Sequence, residues 1–561
     1  MDLLQFLRFG PGDSLEFLLA GLLLVLAVVW RPFLESPARK LAERTVLCMA
    51  LLAVLPVALR LLLLPHHPVP TPDVYDEFSH LLVADTLRHF RLANPPHAMH
   101  AFFETFFVLQ EPTYSSIYPL GQGIPLAIGW VLCGVPWAGV LFSTAALCSL
   151  AYWMLRAWTT PGWALAGGVL AVIEFGPLCQ WMNCYWGGAF AAAAGCLVFG
   201  SLPRIRDSGR VGAGVALGAG LGLHLLTRPF ESIFLAASVV LFFTPDLRRP
   251  EVWRKLARPA LAAALVVLPA VGLTLLQNRR VTGSWTTLPE ALSQYQYGVP
   301  AGLTFQANPL PHRELTREQA LDYRMQSGFR TAGPETGGSY FQRLEYRVRY
   351  YRFFFLPPLY IALAVFLVAM REFRIAWAVA TLAIFALGVN FFPAFQLHYV
   401  AAVTCLFLLA SVGGLERLSR LAIGDGRAGP QVARLLMFLC IAHFALWYGV
   451  HATEAHDALA ALRPYETWDA INHQNPERRI LVNQELAELP GKLLVLVRYD
   501  PQHVFQEEWV YNAADIDGAR IVWARDLGAE ENARLLRYYS GRTVLLLEPD
   551  ARPPRLGPYQ P

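Results

Sequence analysis

The chain has 561 residues, of which 55% are hydrophobic and 16% are charged, and its formal net charge is +4. Soluble globular proteins carry about 25% charged residues. Here charged residues are scarce mainly in long apolar blocks, each close to the ~20 residues needed to cross a bilayer. The composition excludes a soluble enzyme, and basic residues confined to short loops indicate membrane orientation and exclude nucleic-acid binding.

Twelve apolar segments predict membrane-spanning helices. They are Leu15–Val29, Val46–Leu64, Trp137–Leu155, Trp163–Phe175, Ala189–Leu202, Val211–Leu226, Ser232–Phe243, Leu261–Leu276, Phe353–Met370, Ile375–Phe391, Val400–Val412 and Leu435–Val450. The start, Met1–Ser14, has one basic residue and leads into a full apolar run, which predicts a retained span and no cleaved signal peptide. We expect a mainly α-helical polytopic membrane protein of about 12 spans.

Basic loops predict the orientation of these spans. Residues 31–44, 204–210, 248–258, 371–374 and 417–427 are basic and are expected on the cytoplasmic side. That assignment requires Leu120–Leu132 not to cross the membrane. The segment contains three glycines and a proline, which suit a re-entrant or interfacial helix packed against protein. The membrane domain is then 1–451, with external loops at 65–136 and 277–352.

Residues 452–561 differ in composition and predict a small external α/β domain, because apolar runs become short and charges frequent. The expected strands are Lys492–Arg498, Ala519–Trp523 and Thr543–Leu547, and the expected helices are Arg479–Leu489 and Asn532–Tyr539.

Three carboxylates, Asp73, Asp76 and Glu77, follow the second span within about a dozen residues. Charge is costly in lipid, so they are expected in water or in a protein cavity at the membrane face. Glu77–Phe90 has the spacing of an amphipathic interfacial helix. One interpretation is that Asp76 and Glu77 cap this helix; the other is that one of them is a general base for an acceptor hydroxyl or amine.

His97, His100 and Glu104 are spaced three and four apart and would share one face of a helix, where they could ligate a divalent metal. The alternative, which we favour, is an interfacial helix anchored in the membrane surface by its aromatic residues, Phe102, Phe103, Phe106 and Phe107.

Other polar residues are expected near the same membrane face. They are Glu111, Tyr114 and Tyr118 in a loop rich in Pro, Gly and Tyr, and Arg228, Arg279, Arg280, His398 and Tyr399 at the outer ends of spans. External arginines oppose the usual charge bias and require an anionic partner. For Arg228, one interpretation is that the partner is Glu231 or a lipid headgroup. The other is that it is the phosphate of a lipid-linked substrate, whose oxygens match the guanidinium fork.

This pattern resembles the GT-C superfamily of integral membrane glycosyltransferases, closest to the family 39-like branch of protein O-mannosyltransferases and lipid A aminoarabinose transferases. Asp76-Glu77 matches the acidic pair that opens the first external loop in that branch. Tyr118–Pro125 matches its Pro/Tyr/Gly-rich stretch, and Leu226–Pro229 a short basic external turn. The resemblance covers roughly Val46–Val450; the additional first span and the C-terminal domain lie outside it.

The resemblance implies transfer of a hexosyl or pentosyl group from a polyprenyl-phosphate donor to a lipid, glycan or protein acceptor. The active site would lie on the periplasmic or extracellular side of a bacterial-type inner membrane. Asp76 would be the catalytic base and Glu77 would orient the acceptor or neighbouring groups. Glu104 or Glu111 would add a second acid, and Arg228 with the Arg279/Arg280 pair would hold the leaving phosphate. No cofactor is implied, although a divalent metal bound by His97, His100 and Glu104 remains an alternative.

Two other classes of function remain as alternatives. A transporter or flippase of lipid-linked saccharides places ionisable residues near the bilayer midplane, where Glu174 and His224 are the main candidates. A non-catalytic cell-envelope assembly protein would use its C-terminal domain to bind a partner. Most polar groups lie at one face, which favours the enzyme.

Overall fold

The computed structural model describes residues 13–246, 250–329, 335–421, 428–453 and 477–560. Helices α1 to α11 are Asp13–Val29, Arg31–Glu43, Thr45–Leu62, Tyr75–Arg88, Leu120–Cys133, Trp137–Leu155, Pro161–Phe175, Ala189–Ser208, Val211–Thr227, Glu231–Phe243 and Pro250–Thr282. Helices α12 to α20 are Pro289–Tyr297, Arg317–Gly328, Gly337–Val348, Leu359–Val368, Phe373–Val389, Thr404–Leu418, Ala428–Ala452, Glu477–Glu488 and Ala529–Tyr538. Strands β1 to β6 are Val108–Leu109, Ser115–Ser116, Leu493–Val497, Ile521–Arg525, Thr543–Glu548 and Arg555–Pro558.

Every predicted span overlaps a helix, and within the described ranges 5 helices are long and apolar enough to cross a membrane. These five are Thr45–Leu62, Trp137–Leu155, Lys255–Thr282, Leu397–Leu418 and Ala428–Ala452. The predicted span Phe353–Met370 is not one straight helix, because the chain bends by 114° between Gly337–Phe354 and Leu359–Val368. Counted as one span, that pair raises the number to 6. The other apolar helices are shorter, and the total of about twelve stays a prediction.

The predicted re-entrant segment is helix α5, which packs closely against its neighbours. A Cβ at Gly121 would lie 2.2 Å from Thr227 Oγ1, and one at Gly129 would lie 2.1 Å from the nitrogen of Gly139. The helix ends at Gly134, whose φ of 77° lets the chain turn directly into α6. Small residues thus allow α5 to form a tight hairpin with α6 and to contact the end of α9.

We predict that α5 does not cross the membrane, and cysteine labelling tests this. Cysteines replacing Arg39 and Asp207, both exposed, are expected to react from the same side of the membrane, in a background where exposed Cys133 is serine. The reason is that four helices, α3, α6, α7 and α8, then cross between the two positions, and an even number of crossings returns the chain to the starting side. Labelling of the two positions from opposite sides would show that α5 spans the bilayer.

The first external loop is not an interfacial layer, contrary to the sequence prediction. Helix α4 is largely buried, packing against α5 and β2. Phe102 and Phe103 are 2% and 1% exposed and share a hydrophobic core with Leu494 and Leu496 of β3. Burying a Phe side chain stabilises a protein by about 1.5–3 kcal/mol, so this core, and not the membrane surface, holds the aromatic residues.

The C-terminal region forms the predicted α/β unit. Its sheet has the order β4-β3-β5-β6, in which β3 pairs in parallel with β4 and β5, and β6 pairs antiparallel with β5. All five residues of β3 are buried, as expected for the centre of a sheet covered on both faces. One of those faces is covered by the first external loop, so the unit packs on the membrane part instead of being merely tethered to it.

Candidate active site

Glu77 lies in the first turn of α4, and its carboxylate is fully engaged by backbone groups. One oxygen accepts the N–H groups of Asp73 (2.8 Å) and Val74 (3.2 Å), and the other accepts the N–H of Tyr185 (2.7 Å). Burial raises its pKa to about 7, while these three hydrogen bonds oppose the rise. Glu77 therefore joins the start of α4 to the segment after α7, and the capping role considered from sequence falls to this residue.

Asp76 has different surroundings and keeps part of its surface exposed. Its Oδ1 accepts a hydrogen bond from the phenolic O–H of Tyr118. Burial raises the pKa of Asp76 to about 6; the Tyr118 hydrogen bond and the positive charge of Arg228 oppose the rise. A carboxylate that is ionised at neutral pH, oriented by hydrogen bonds from Tyr118 and Trp186 and still reachable has the properties of a general base.

Tyr118 is itself held in place by the loop that precedes α5. Its backbone N–H donates to Ser116 Oγ (3.0 Å), and its carbonyl accepts from the side-chain amide of Gln277 at the end of α11 (2.9 Å). Pro119 follows and leads into α5. The phenol therefore has a fixed direction toward Asp76, which is what a residue that orients a base needs.

Arg228 terminates helix α9, where its N–H donates to the carbonyl of His224 (2.7 Å). The guanidinium carbon lies 5.0 Å from the ring centre of Tyr399, a cation–π contact. Across the described ranges, its guanidinium has no hydrogen bond to a protein acceptor and no ion pair within 4 Å, Glu231 included. The charge of Arg228 nevertheless acts on the carboxyl groups of Asp76, Glu231 and Glu290, so the guanidinium lies close to Asp76 without a direct contact to it.

His80 is a member of this cluster that the sequence analysis missed. It lies four residues after Asp76 on α4, and its ring stacks on Tyr118 with centres 4.2 Å apart. Both ring nitrogens are buried and lack a hydrogen-bond partner among the described residues. Burial and the charge of Arg228 lower its pKa to about 3, so the ring is neutral. The i, i+4 spacing from Asp76 was the signal that could have identified it.

His398 and Tyr399 close the cluster from the start of the 3₁₀ turn Leu397–Val403. The ring of His398 lies 5.0 Å from Trp186 and 5.0 Å from Tyr399. The predicted residues Asp76, Tyr118, Arg228, His398 and Tyr399 therefore belong to one cluster. Trp186 joins them, because it packs on His398 and donates a hydrogen bond to Asp76.

Glu104, Glu111 and Tyr114 are engaged elsewhere. Arg313 pairs with Glu104 and with Glu111 (2.9 Å), and Glu104 also accepts hydrogen bonds from Tyr297 (3.1 Å) and Gln319 (3.2 Å). The phenol of Tyr114 donates to the carbonyl of Asn512 (3.0 Å). These contacts tie the two external loops together and the first loop to the C-terminal unit, and their predicted substrate role remains untested.

Arg279 and Arg280 are exposed in the last turn of α11. Arg279 donates to the carbonyl of Gly283, a helix-end contact within its own segment. Neither side chain is seen to contact the cluster around Asp76, so the sequence-derived phosphate role of this pair stays a prediction.

The metal cluster suggested by helical spacing does not form. Only His100–Phe103 are helical, as a single 3₁₀ turn, so His97, His100 and Glu104 do not share a helix face. His97 Nε2 lies 3.1 Å from Asp517, and His100 Nδ1 lies 3.1 Å from Arg313. In the described ranges no group of three or more His, Cys, Asp or Glu side chains is placed to hold a metal ion.

The pH dependence of transfer tests the expectation from sequence that Asp76 is a general base. We expect the rate to fall as pH drops through about 6, because protonated Asp76 cannot accept the acceptor proton. Replacing Tyr118 with Phe removes a hydrogen bond that lowers this pKa, so the acid limb should move to higher pH. Tyr295→Phe, at an exposed ring, is the control and should leave the profile in place. An acid limb that does not move in Tyr118→Phe would mean that another group titrates.

No protein-family model matches the chain, and no curated protein matches its sequence. Among solved structures, it is similar to ArnT from Cupriavidus metallidurans in the apo state, with 12% identity, a TM-score of 0.47 and coverage of 88% of this chain and 92% of that one. The same protein bound to undecaprenyl phosphate gives 13% identity, a TM-score of 0.48 and the same coverage. The oligosaccharyltransferase AglB from Archaeoglobus fulgidus, in complex with an inhibitory peptide and a dolichol-phosphate, gives 12% identity and a TM-score of 0.37 over 82% of this chain and 62% of that one.

Proposed function

We propose that this protein transfers a sugar from a polyprenyl-phosphate donor to an acceptor at the outer face of the cytoplasmic membrane, with Asp76 as general base. The observation that carries the proposal is the pairing of two unlike groups in one cluster. One is a reachable, ionised carboxylate oriented by Tyr118; the other is the guanidinium of Arg228, which makes no hydrogen bond or ion pair within 4 Å in the described ranges. A base and an anion-binding group are what sugar transfer from a phosphate carrier requires.

The position of the cluster suits a substrate with a lipid tail. Arg228 follows the apolar helix α9, and Tyr118 immediately precedes the apolar helix α5. His398 and Tyr399 begin the apolar stretch Leu397–Leu418. A donor whose phosphate lies at Arg228 can therefore keep its polyprenyl chain in lipid while the sugar reaches the carboxylate. The basic loops at the opposite ends of the helices favour an outer location for this site.

The reaction forms one bond and breaks another. The acceptor oxygen or nitrogen attacks the anomeric carbon of the sugar, and its proton passes to Asp76. The bond from the anomeric carbon to the phosphate oxygen breaks, and its electron pair stays on the polyprenyl phosphate. The charge that develops on that phosphate is stabilised by Arg228. Glu77 takes no proton in this scheme; its three backbone hydrogen bonds hold the first turn of α4, and thereby Asp76, in place.

A transfer assay with the full chain in proteoliposomes tests the proposal. The donor is a radiolabelled polyprenyl-phosphate sugar pool extracted from membranes, and crude envelope lipid, glycan and protein fractions serve as acceptors. We expect label to move to one acceptor fraction with release of polyprenyl phosphate. Intact donor crossing the bilayer without release would instead indicate a flippase. If the donor stays intact with every acceptor fraction, the proposal that this protein is a transferase is contradicted.

A further inference from the structure

A short segment of the C-terminal unit contacts both ends of the helix that carries Asp76. This segment comprises residues 509–514. The ring of Tyr511 stacks on Phe78, two residues after Asp76, with centres 4.2 Å apart and planes at 1°. At the other end of α4, the N–H of Ala514 donates to the buried carboxylate of Asp85 (2.7 Å). The 509–514 segment therefore spans α4 from its first turn to its last.

A second contact fixes Phe78 from the same unit. The guanidinium carbon of Arg479 lies 4.6 Å from the ring centre of Phe78 and 4.5 Å from that of Trp509. Arg479 is partly buried, and burial lowers its pKa to about 10. A desolvated cation over an aromatic ring contributes more than an exposed one, so the ring is held by Arg479 as well as by Tyr511.

The 509–514 segment is in turn anchored by a buried ion cluster. Glu508 Oε1 accepts the backbone N–H groups of Trp509 and Val510, both at 2.9 Å, and its other oxygen pairs with Arg525 of β4. Arg525 also pairs with Glu318 of the second external loop (2.5 Å) and donates to the carbonyl of Glu104 in the first (2.7 Å). The cluster thus links the C-terminal unit to both loops that surround α4.

We infer that the C-terminal unit positions the catalytic carboxylate: Tyr511 and Arg479 set the direction of the first turn of α4 through Phe78, and so the place of Asp76 in the site. The inference rests on the proposed function. Neither residue is assigned to substrate or to the reacting atoms, so both are positioning residues. Displacing a catalytic group by about 1 Å can cost on the order of 100-fold in rate, and the stack on Phe78 acts beside the Glu77 hydrogen bonds to prevent it.

The test compares Tyr511→Ala with Tyr511→Phe in the full chain, with Arg534→Ala as the control. Arg534 is exposed and pairs only with Glu531 of its own helix within the described ranges. Two quantities are measured: amide hydrogen exchange over residues 75–88, and the kcat and donor KM of transfer. We expect Tyr511→Ala to speed exchange in the first turn of α4 and to lower kcat about 10- to 100-fold, with donor KM within twofold. Tyr511→Phe keeps the stacked ring and should behave like the unchanged protein.

Arg479→Lys provides a second variant if Tyr511→Ala does not fold. It keeps the charge but loses the planar contact, so it should show the same two effects at smaller size. The inference would be overturned if Tyr511→Ala left amide exchange and kcat unchanged. It would also be overturned if Tyr511→Phe changed both as much as Tyr511→Ala. The unchanged protein could show no transfer while Tyr511→Ala still speeds amide exchange in α4. That result would support the link between the C-terminal unit and α4 and contradict the proposed function, so the two failures are distinguishable.

Discussion

Replacing Asp76 with Asn is expected to abolish transfer while leaving the protein folded and inserted. The amide oxygen of Asn can still accept the hydrogen bond from Tyr118, so the first turn of α4 keeps its geometry. It cannot take the acceptor proton, and loss of a general base costs about 10²–10⁴-fold in rate. The measurement is the transfer rate of the purified variant at saturating donor, together with its thermal unfolding midpoint.

Two further variants make this result interpretable. Asp207→Asn changes an exposed carboxylate at the opposite end of the bundle and should keep full activity. Glu77→Gln should lower stability more than Asp76→Asn, because one of the two oxygens that accept three backbone N–H groups becomes a donor. Full activity of the purified Asp76→Asn protein would show that Asp76 is not the base.

The second large effect is expected at Arg228, where lysine should raise the donor KM. A point charge cannot reproduce the two-pronged contact of a guanidinium with phosphate oxygens. The loss for a charged hydrogen bond is about 1–3 kcal/mol, which corresponds to a roughly 5- to 150-fold weaker use of donor. The measurement is the donor KM of Arg228→Lys, with the thermal midpoint as a check on folding.

Glu231→Gln is the matched comparison for this variant. The structure has no ion pair between Arg228 and Glu231 within 4 Å, although the charge of Arg228 acts on the Glu231 carboxyl group, so we expect Glu231→Gln to change the donor KM less than Arg228→Lys does. An unaltered KM in Arg228→Lys would place the phosphate elsewhere. Parallel Arg279→Lys and Arg280→Lys variants then decide whether the exposed pair at the end of α11 binds it.

Some contacts lie between segments far apart in the chain and could not be inferred from local pattern. Phe102 and Phe103 are indistinguishable in sequence from a membrane-surface anchor, since burial in lipid and burial in protein select the same residue types. Their place in a core shared with β3 depends on the docking of the C-terminal unit. In the same way, the partner of His97 is Asp517 of that unit and not a metal.

The amino-acid sequence by itself determined the apolar helices, three of the four strands of the C-terminal sheet and the placement of Asp76 and Glu77 at the start of a helix. Each of these follows from local periodicity or from the cost of charge in lipid, which act over a few turns of chain. Only the tertiary structure decided which carboxylate is occupied by backbone N–H groups and which stays reachable. It also decided that Arg228 and His398, rather than Glu104 or Glu111, surround Asp76. The reason is that hydrogen-bond partners and desolvation depend on what packs across from a residue, and that is set by helix packing and by the C-terminal unit.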